Sequence, residues 1–220
     1  MSDVVNTTLL VFTGLFPVVN PLGNAPVFLT ITRQCTDEER HVLARGVAVN
    51  GFLLLLGSLL VGSHVLTFFG LTLPVVRIAG GLVVAATGWK LLSSGEDQQD
   101  RRAASAAQDR VGLPDSFYPL TMPLTVGPGS IAVAIALGSR RPPPPESFGH
   151  LALLAGAAVA GLLAIAGTVY VSYRFAAVVT SRLGEGGTNV LMRLSAFILL
   201  CIGIEITWNG YSALLATGGR

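Results

Sequence analysis

Four stretches of this chain each run for more than twenty residues almost without charge: 4–32, 46–76 (interrupted only by His64), 116–139 and 151–173. A helix needs about 20 apolar residues to cross a bilayer. In lipid the backbone must satisfy its own hydrogen bonds, so runs of this length and texture read as helices. Charged residues make up 12% of the chain, about half the share of a soluble domain. The expected fold class is all-α, a polytopic membrane helix bundle.

Six segments are expected, near 4–31, 43–69, 72–92, 116–138, 150–175 and 189–215. A tight turn, Phe69-Gly70-Leu71-Thr72, joins the second to the third. A polar cytoplasmic linker, 93–115, separates a first three-helix repeat (1–92) from a second, inverted one (116–220). Prolines 142–145 read as a stiff polyproline spacer between the fourth and fifth segments.

Two of the segments cannot be regular helices. Phe16, Pro17, Pro21 and Leu22 recur as Tyr118, Pro119, Pro123 and Leu124, an offset of 102, and both stretches then run into further Gly and Pro. Proline lacks an amide hydrogen and clashes with the preceding turn. Broken backbone at membrane depth survives where protein buries it or where it lines a cavity. A matched pair of breaks in two halves points to a transporter's binding site. The substrate-binding candidates are therefore Asn20, Pro21, Gly23 and Asn24 in the first break, and Thr121, Gly127, Gly129 and Ser130 in the second. Helices restarting there aim free N–H groups into the break.

The repeat extends to the third members, where Arg77-Ile78-Ala79 and Arg193-Leu194-Ser195 each open an apolar helix. Lys and Arg concentrate in 33–45, in the central linker and its flank, and in 174–193. The positive-inside rule then puts both termini outside. Glu205 lies mid-segment, where an ionisable group is expensive, and is the ion-coupling candidate; pairing with Arg77 or Arg193 is its structural alternative. The arginines themselves read as snorkelling or capping groups, and His64 as interfacial. Gly80, Gly81, Ala157, Ala160, Gly161, Ala164 and Gly167 read as helix-packing positions.

Several classes are disfavoured. The net charge of +2 gives no reason to expect nucleic acid. Cys35 and Cys201 make no disulfide framework. The N-terminus lacks a basic signal region and reads as a retained first span. No phosphate-binding loop supports ATP-driven transport. No Asp lies inside a span, no metal cluster is visible, and Ser130 and His64 sit at different depths, so no catalytic set, metal or cofactor is expected.

Four motifs in order resemble the MarC family of bacterial inner-membrane proteins. They are Asn20-Pro21-Leu22-Gly23-Asn24-x-Pro26-x-Phe28, Arg77-Ile78-Ala79-Gly80-Gly81, Pro119-Leu120 through Gly127-Pro128-Gly129, and Leu183-Gly184-Glu185 through Arg193-Leu194. The resemblance covers nearly the whole chain. It implies a multi-pass protein of the inner (plasma) membrane carrying small neutral amino acids such as glycine or alanine, with proton or sodium coupling. Glu205 departs from the family's usual Gln. The functional expectation is secondary active transport by alternating access around the two breaks. A passive channel or export pore for small solutes, or a non-transport structural subunit, stays open as the alternative. Association into a homo-oligomer also stays open.

Overall fold

The computed structural model describes residues 2–93, 114–139 and 148–218. Most of the expected linker and the whole proline spacer lie outside the described residues. The elements are α1 (Ser2–Val19), α2 (Pro21–Ile31), α3 (Asp37–Phe68), α4 (Leu73–Ser93), a π-helical turn (Leu120–Thr125), α5 (Pro128–Gly138), α6 (Phe148–Arg174) and α7 (Ala176–Gly218). No strand occurs among the described residues. The chain is an all-helical membrane bundle.

Local chemistry sets the element ends. Thr36 and Glu39 close a capping box on α3: Thr36 N–H donates to Glu39 Oε2 at 2.7 Å, and Glu39 N–H donates to Thr36 Oγ1. Arg40 braces the connection before it, donating to the carbonyls of Thr32 and Cys35 and pairing with Asp37. After α3, Gly70 takes φ 67° and Leu71 N–H reaches back to Leu66 O at 2.9 Å, a glycine-dependent helix stop.

Among the described residues, four helices are long and apolar enough to cross a bilayer: α3, α4, α6 and α7. The bent pair α1 and α2, meeting at 41°, is long and apolar enough to make a fifth if it crosses as one broken span. The expected fourth span, 116–138, is not a spanning helix. Its helical part, α5, has 11 residues and is about 16 Å long, roughly half the hydrocarbon thickness. The reason is the density of Pro119, Pro123 and Pro128, each without an amide hydrogen. The sixth segment differs in the other direction. The expected connection at 176–188 is helical, and the chain bends at Gly184 (φ 65°, ψ −179°). That conformation is essentially restricted to glycine.

The packing follows three directions. α1 runs parallel to α6, with Thr8 Oγ1 donating to Ala157 O at 3.0 Å near one end. Phe28 of α2 stacks on Tyr173 at 4.5 Å near the other. α3 runs parallel to the fourth segment: Gly46 faces Ser116, Gly51 faces Val126 and Gly62 faces Ile135. α4 and α7 cross antiparallel on small residues. Gly88 lies against Ala196 and Leu200, Gly203 against Ala85, and Gly210 against Arg77 and Ile78. A hydrophobic core lies between α1, α2, α3, α6 and the π turn, around Leu15, Phe28, Leu55, Leu120, Leu162 and Tyr173. Leu53, Trp89, Phe197 and Ile204 are exposed, as a lipid-facing surface requires.

Gly80 and Gly81 are contact positions as expected, as are Ala157 and Gly161. Ala160, Ala164 and Gly167 instead lie on the exposed side of α6, and nothing stands within 4 Å of a methyl added at Gly167. This contrast is testable. Gly88→Ala should cost about 1–3 kcal/mol, since its methyl would sit 2.9 Å from Ala196 O. Gly167→Ala should be neutral or should gain up to about 1 kcal/mol from the lower entropy of its unfolded chain. Thermal unfolding of both purified variants in detergent decides it, and equal melting temperatures would remove the glycine seam as a source of stability.

Candidate functional site

The first break is one residue long. α1 ends at Val19, and Asn20 takes the left-handed conformation (φ 48°, ψ 54°), which asparagine tolerates better than most side chains. Asn20 then caps α2, its Oδ1 accepting from Gly23 N–H at 3.2 Å. Pro21 fills the first helical position, where a missing N–H is harmless. Gly23 leaves room for that cap: a methyl there would stand 2.6 Å from Asn20 Oδ1.

The second break is longer. The Tyr118–Pro119 and Met122–Pro123 peptides are both cis. Thr121 is fully buried, its Oγ1 donating to Ser116 O at 2.7 Å, and its carbonyl accepts from Val126 N–H at 2.8 Å. Gly127 precedes α5 in an extended conformation with Pro128 at the first helical position. Ser130, 1% exposed, donates to Gly127 O at 2.9 Å. Gly129 presses on Val84 and lets α5 approach the Gly80 carbonyl of α4.

The two breaks meet through one side chain. In a regular helix Gly23 N–H would donate to Val19 O, but it is turned to Asn20. Leu124 O would receive the amide of residue 128, but that residue is proline. Asn24 Nδ2 serves both orphaned carbonyls, donating to Val19 O at 3.0 Å and to Leu124 O at 2.9 Å. Of the sequence-predicted residues, Asn24 alone reaches the other break, at Leu124; Thr121 and Ser130 bond within their own segment and Gly129 packs on α4. Asn20 Nδ2 and Asn24 Oδ1 stay uncommitted among the described residues, one a donor and one an acceptor.

The space around the breaks is unequal on the two sides. Towards the half holding the start of α4 and the C-terminal ends of α5 and α7 lies a crevice of about 540 Å³. It reaches Pro17, three residues before Asn20, and Ala132, three residues after Gly129; Arg77 is its charged lining residue. In the opposite half, Val19, Ala48, Leu55, Val126, Ile165 and neighbours line a cavity of about 10 Å³, room for about one water. That half is further tied by Tyr173, whose hydroxyl lies 2.7 Å from Thr125 Oγ1, while Thr125 donates to Leu120 O.

Against this geometry stand the comparisons with known proteins. The model of the MarC family integral membrane protein matches residues 5–215. The chain belongs to the MarC family. It is similar to the membrane protein YvbG of Bacillus subtilis (strain 168), with 29% identity over 93% of each chain. It is equally similar to the inner membrane protein MarC of Citrobacter koseri, at 29% over 92% of this chain and 93% of that one. A membrane protein of Archaeoglobus fulgidus is 28% identical over 94% and 92%. No solved structure gives a significant match.

Glu205 does not sit between the breaks. It is exposed on α7, and its Oε1 accepts from Asn209 Nδ2 at 3.0 Å, so its partner is a neighbour one turn away rather than either arginine. Three features escape sequence reading: the two hydrogen bonds donated by Asn24 Nδ2, the Tyr173–Thr125–Leu120 chain, and the crevice with Arg77 and Asn209. The first two join residues 100 and 48 positions apart. Only the position of Asn24 four residues after Asn20 is a local hint.

The two asparagines use opposite ends of their amides, which separates them experimentally. Asn20→Asp keeps the acceptor that caps α2 and should leave the fold intact. Asn24→Asp removes both donors and sets a carboxylate against two carbonyls, at about 1–3 kcal/mol for each carbonyl left unserved. Size-exclusion profiles and melting curves of the two variants check this. Equal behaviour would contradict the assigned amide orientations.

Proposed function

We propose that this protein is a secondary active transporter of small neutral amino acids, glycine- or alanine-like, working by alternating access around the paired breaks. The observation that carries this reading is an inequality among the described residues: a crevice of about 540 Å³ comes within a turn of both breaks, at Pro17 and Ala132, while the cavity on the other side of them is about 10 Å³. A carrier needs such a one-sided path, and its exchange to the other side is a movement of the two halves. The pairing of elements supports that movement. The first member of each half packs on the second member of the other, and the third members pack on each other, as two inverted three-helix repeats would.

The substrate class follows from what the breaks leave over. A donor, Asn20 Nδ2, and an acceptor, Asn24 Oδ1, suit the carboxylate and ammonium ends of one small zwitterion. Gly23, Gly127 and Ala132 keep the surroundings small. Coupling to a proton or to sodium belongs to the same reading, as does an orientation with both termini outside.

The test is counterflow in proteoliposomes. Vesicles preloaded with unlabelled alanine should transiently accumulate labelled alanine and glycine above the external concentration, with saturation. Uptake that is linear in concentration and shows no counterflow would make the protein a passive pore and overturn the carrier. The orientation is checked on cells: a reporter fused after Arg220 that works only in the periplasm supports it, and a cytoplasmic reporter that works there refutes it.

A further inference from the structure

The elements around the breaks divide into two packed pairs, each drawing on both parts of the chain. In one, α1 and α2 lie along α6: Thr8 Oγ1 donates to Ala157 O, Val11 presses on Gly161, and Phe28 stacks on Tyr173. In the other, α3 lies along the fourth segment, where Asn50 Nδ2 donates to Ser116 Oγ at 3.3 Å and Gly51 faces Val126. The interface between the pairs passes through the breaks. On one side of them it widens into the crevice, lined by Thr13 and Pro17 of α1 and by Ala132 and Ala136 of α5. On the other it narrows to the cavity of about 10 Å³, where α1 and α6 meet α3 and the π turn.

Three side-chain hydrogen bonds cross this interface. Asn24 to Leu124 O joins the breaks themselves. The Tyr170 hydroxyl, half-buried, lies 3.3 Å from His41 Nδ1. The Tyr173 hydroxyl lies 2.7 Å from Thr125 Oγ1, and this pair is buried. Its direction is fixed. Leu120 O can only accept, so the Thr125 hydroxyl gives its one hydrogen there, and Tyr173 must donate to Thr125. Its place is that of a barrier. Ile165 and Val169 line the cavity, and Tyr173 follows one turn nearer the end of α6 at Arg174, with Phe28 of α2 stacked on its ring.

We infer that the Tyr173–Thr125 hydrogen bond is the gate of the closed side, holding the two pairs together between the breaks and the membrane surface and breaking whenever that side opens. The inference rests on the transport reading and names the contact whose opening that reading requires. The chemistry of the pair suits it to open and close. Phe and Val would fill the same space, and a buried hydrogen bond adds little net stability over such an apolar pair, whereas a hydroxyl left unserved in a dry site is costly. Thr125 is the polar side chain of the cavity lining, and its hydroxyl is already engaged, so the closed site offers a water few partners. Once the pairs part, water reaches both hydroxyls and replaces the bond. An apolar pair would instead expose hydrocarbon to that water. The contact is firm while dry and yields when wet.

The experiment reads opening with a cysteine placed in the cavity lining. Cys35 and Cys201 are replaced by Ser, and Val47→Cys, with Ala48→Cys as an independent reporter, is labelled by N-ethylmaleimide in proteoliposomes. Val11→Cys, buried within one pair, is the control. Tyr173→Phe should speed labelling at both cavity positions about tenfold, the factor for one hydrogen bond near the top of its net range, and leave Val11→Cys at its parent rate. Thr125→Val should speed it at least as much, because it also strands the tyrosine hydroxyl. The two changes together should do no more than Thr125→Val alone, since both remove the same bond. Parent labelling rates in both single variants would overturn the gate. Equal acceleration at Val11→Cys would mark a general loosening, and additive acceleration in the double variant two separate effects; either also refutes it. The transport reading is judged apart, by counterflow in the parent protein. Counterflow with unchanged labelling refutes the gate and keeps the carrier; accelerated labelling without counterflow keeps the gate, as that of a pore, and refutes the carrier.

Discussion

A single carboxamide joins the two broken segments of this protein. Each half interrupts a helix inside the membrane, and each interruption leaves a carbonyl without its ordinary donor. Asn24 answers both carbonyls with the two hydrogens of one nitrogen. In lipid, an unserved carbonyl costs several kcal/mol because no water replaces the lost partner. Contact between α2 and the π turn therefore stabilises both breaks, beside the apolar core around them. The cap on α2, the glycine at 23 and the proline at 128 all follow from this bond: one diverts an amide, one makes room, one lacks an amide.

Around that point the bundle is asymmetric in what it can yield. The closed half is held by aromatic and branched side chains, with Phe28 stacked on Tyr173 and the Tyr173 hydroxyl bonded to Thr125. The α4–α7 crossing is held instead by backbone meeting backbone across glycines. Interlocked side chains resist sliding until they change rotamer; a glycine seam presents a smooth surface that can shift with little repacking. The crevice borders the seam, at Arg77 and Asn209, and the tight core borders the closed side.

Features with local causes are legible in the residues themselves. Proline lacks an amide hydrogen wherever it occurs, so Asn20-Pro21 and Gly127-Pro128 mark the breaks on their own, together with the capping residues beside them. The long apolar runs likewise announce the bundle. Partners distant along the chain leave no such mark: nothing near Tyr173 foretells Thr125, and nothing near Leu124 foretells Asn24. Facing is the other gap. Glu205 stands alone in an apolar run, which shows that it is costly there but not which side of the helix bears it; the fold puts it outside, bonded to Asn209. Ala160 and Gly167 differ from expectation for the same reason, since small residues permit close packing on whichever face meets a neighbour. The fourth segment is apolar enough to read as a span, yet three prolines within it remove the donors that a continuous helix requires.

The shortness of α5 has an electrical consequence. A helix of about 16 Å covers only half the hydrocarbon layer, and its lining residues Ala132, Ala136 and Leu137 face the crevice. Where that crevice holds water it conducts, so the membrane voltage falls mainly across the closed half, compressed into about half its usual distance. A unit charge moving through that half would then do nearly the full work of the membrane potential, about 2.3 kcal/mol per 100 mV, over a displacement of a few turns of helix. On a species of zero net charge the field would do almost no net work over the same distance.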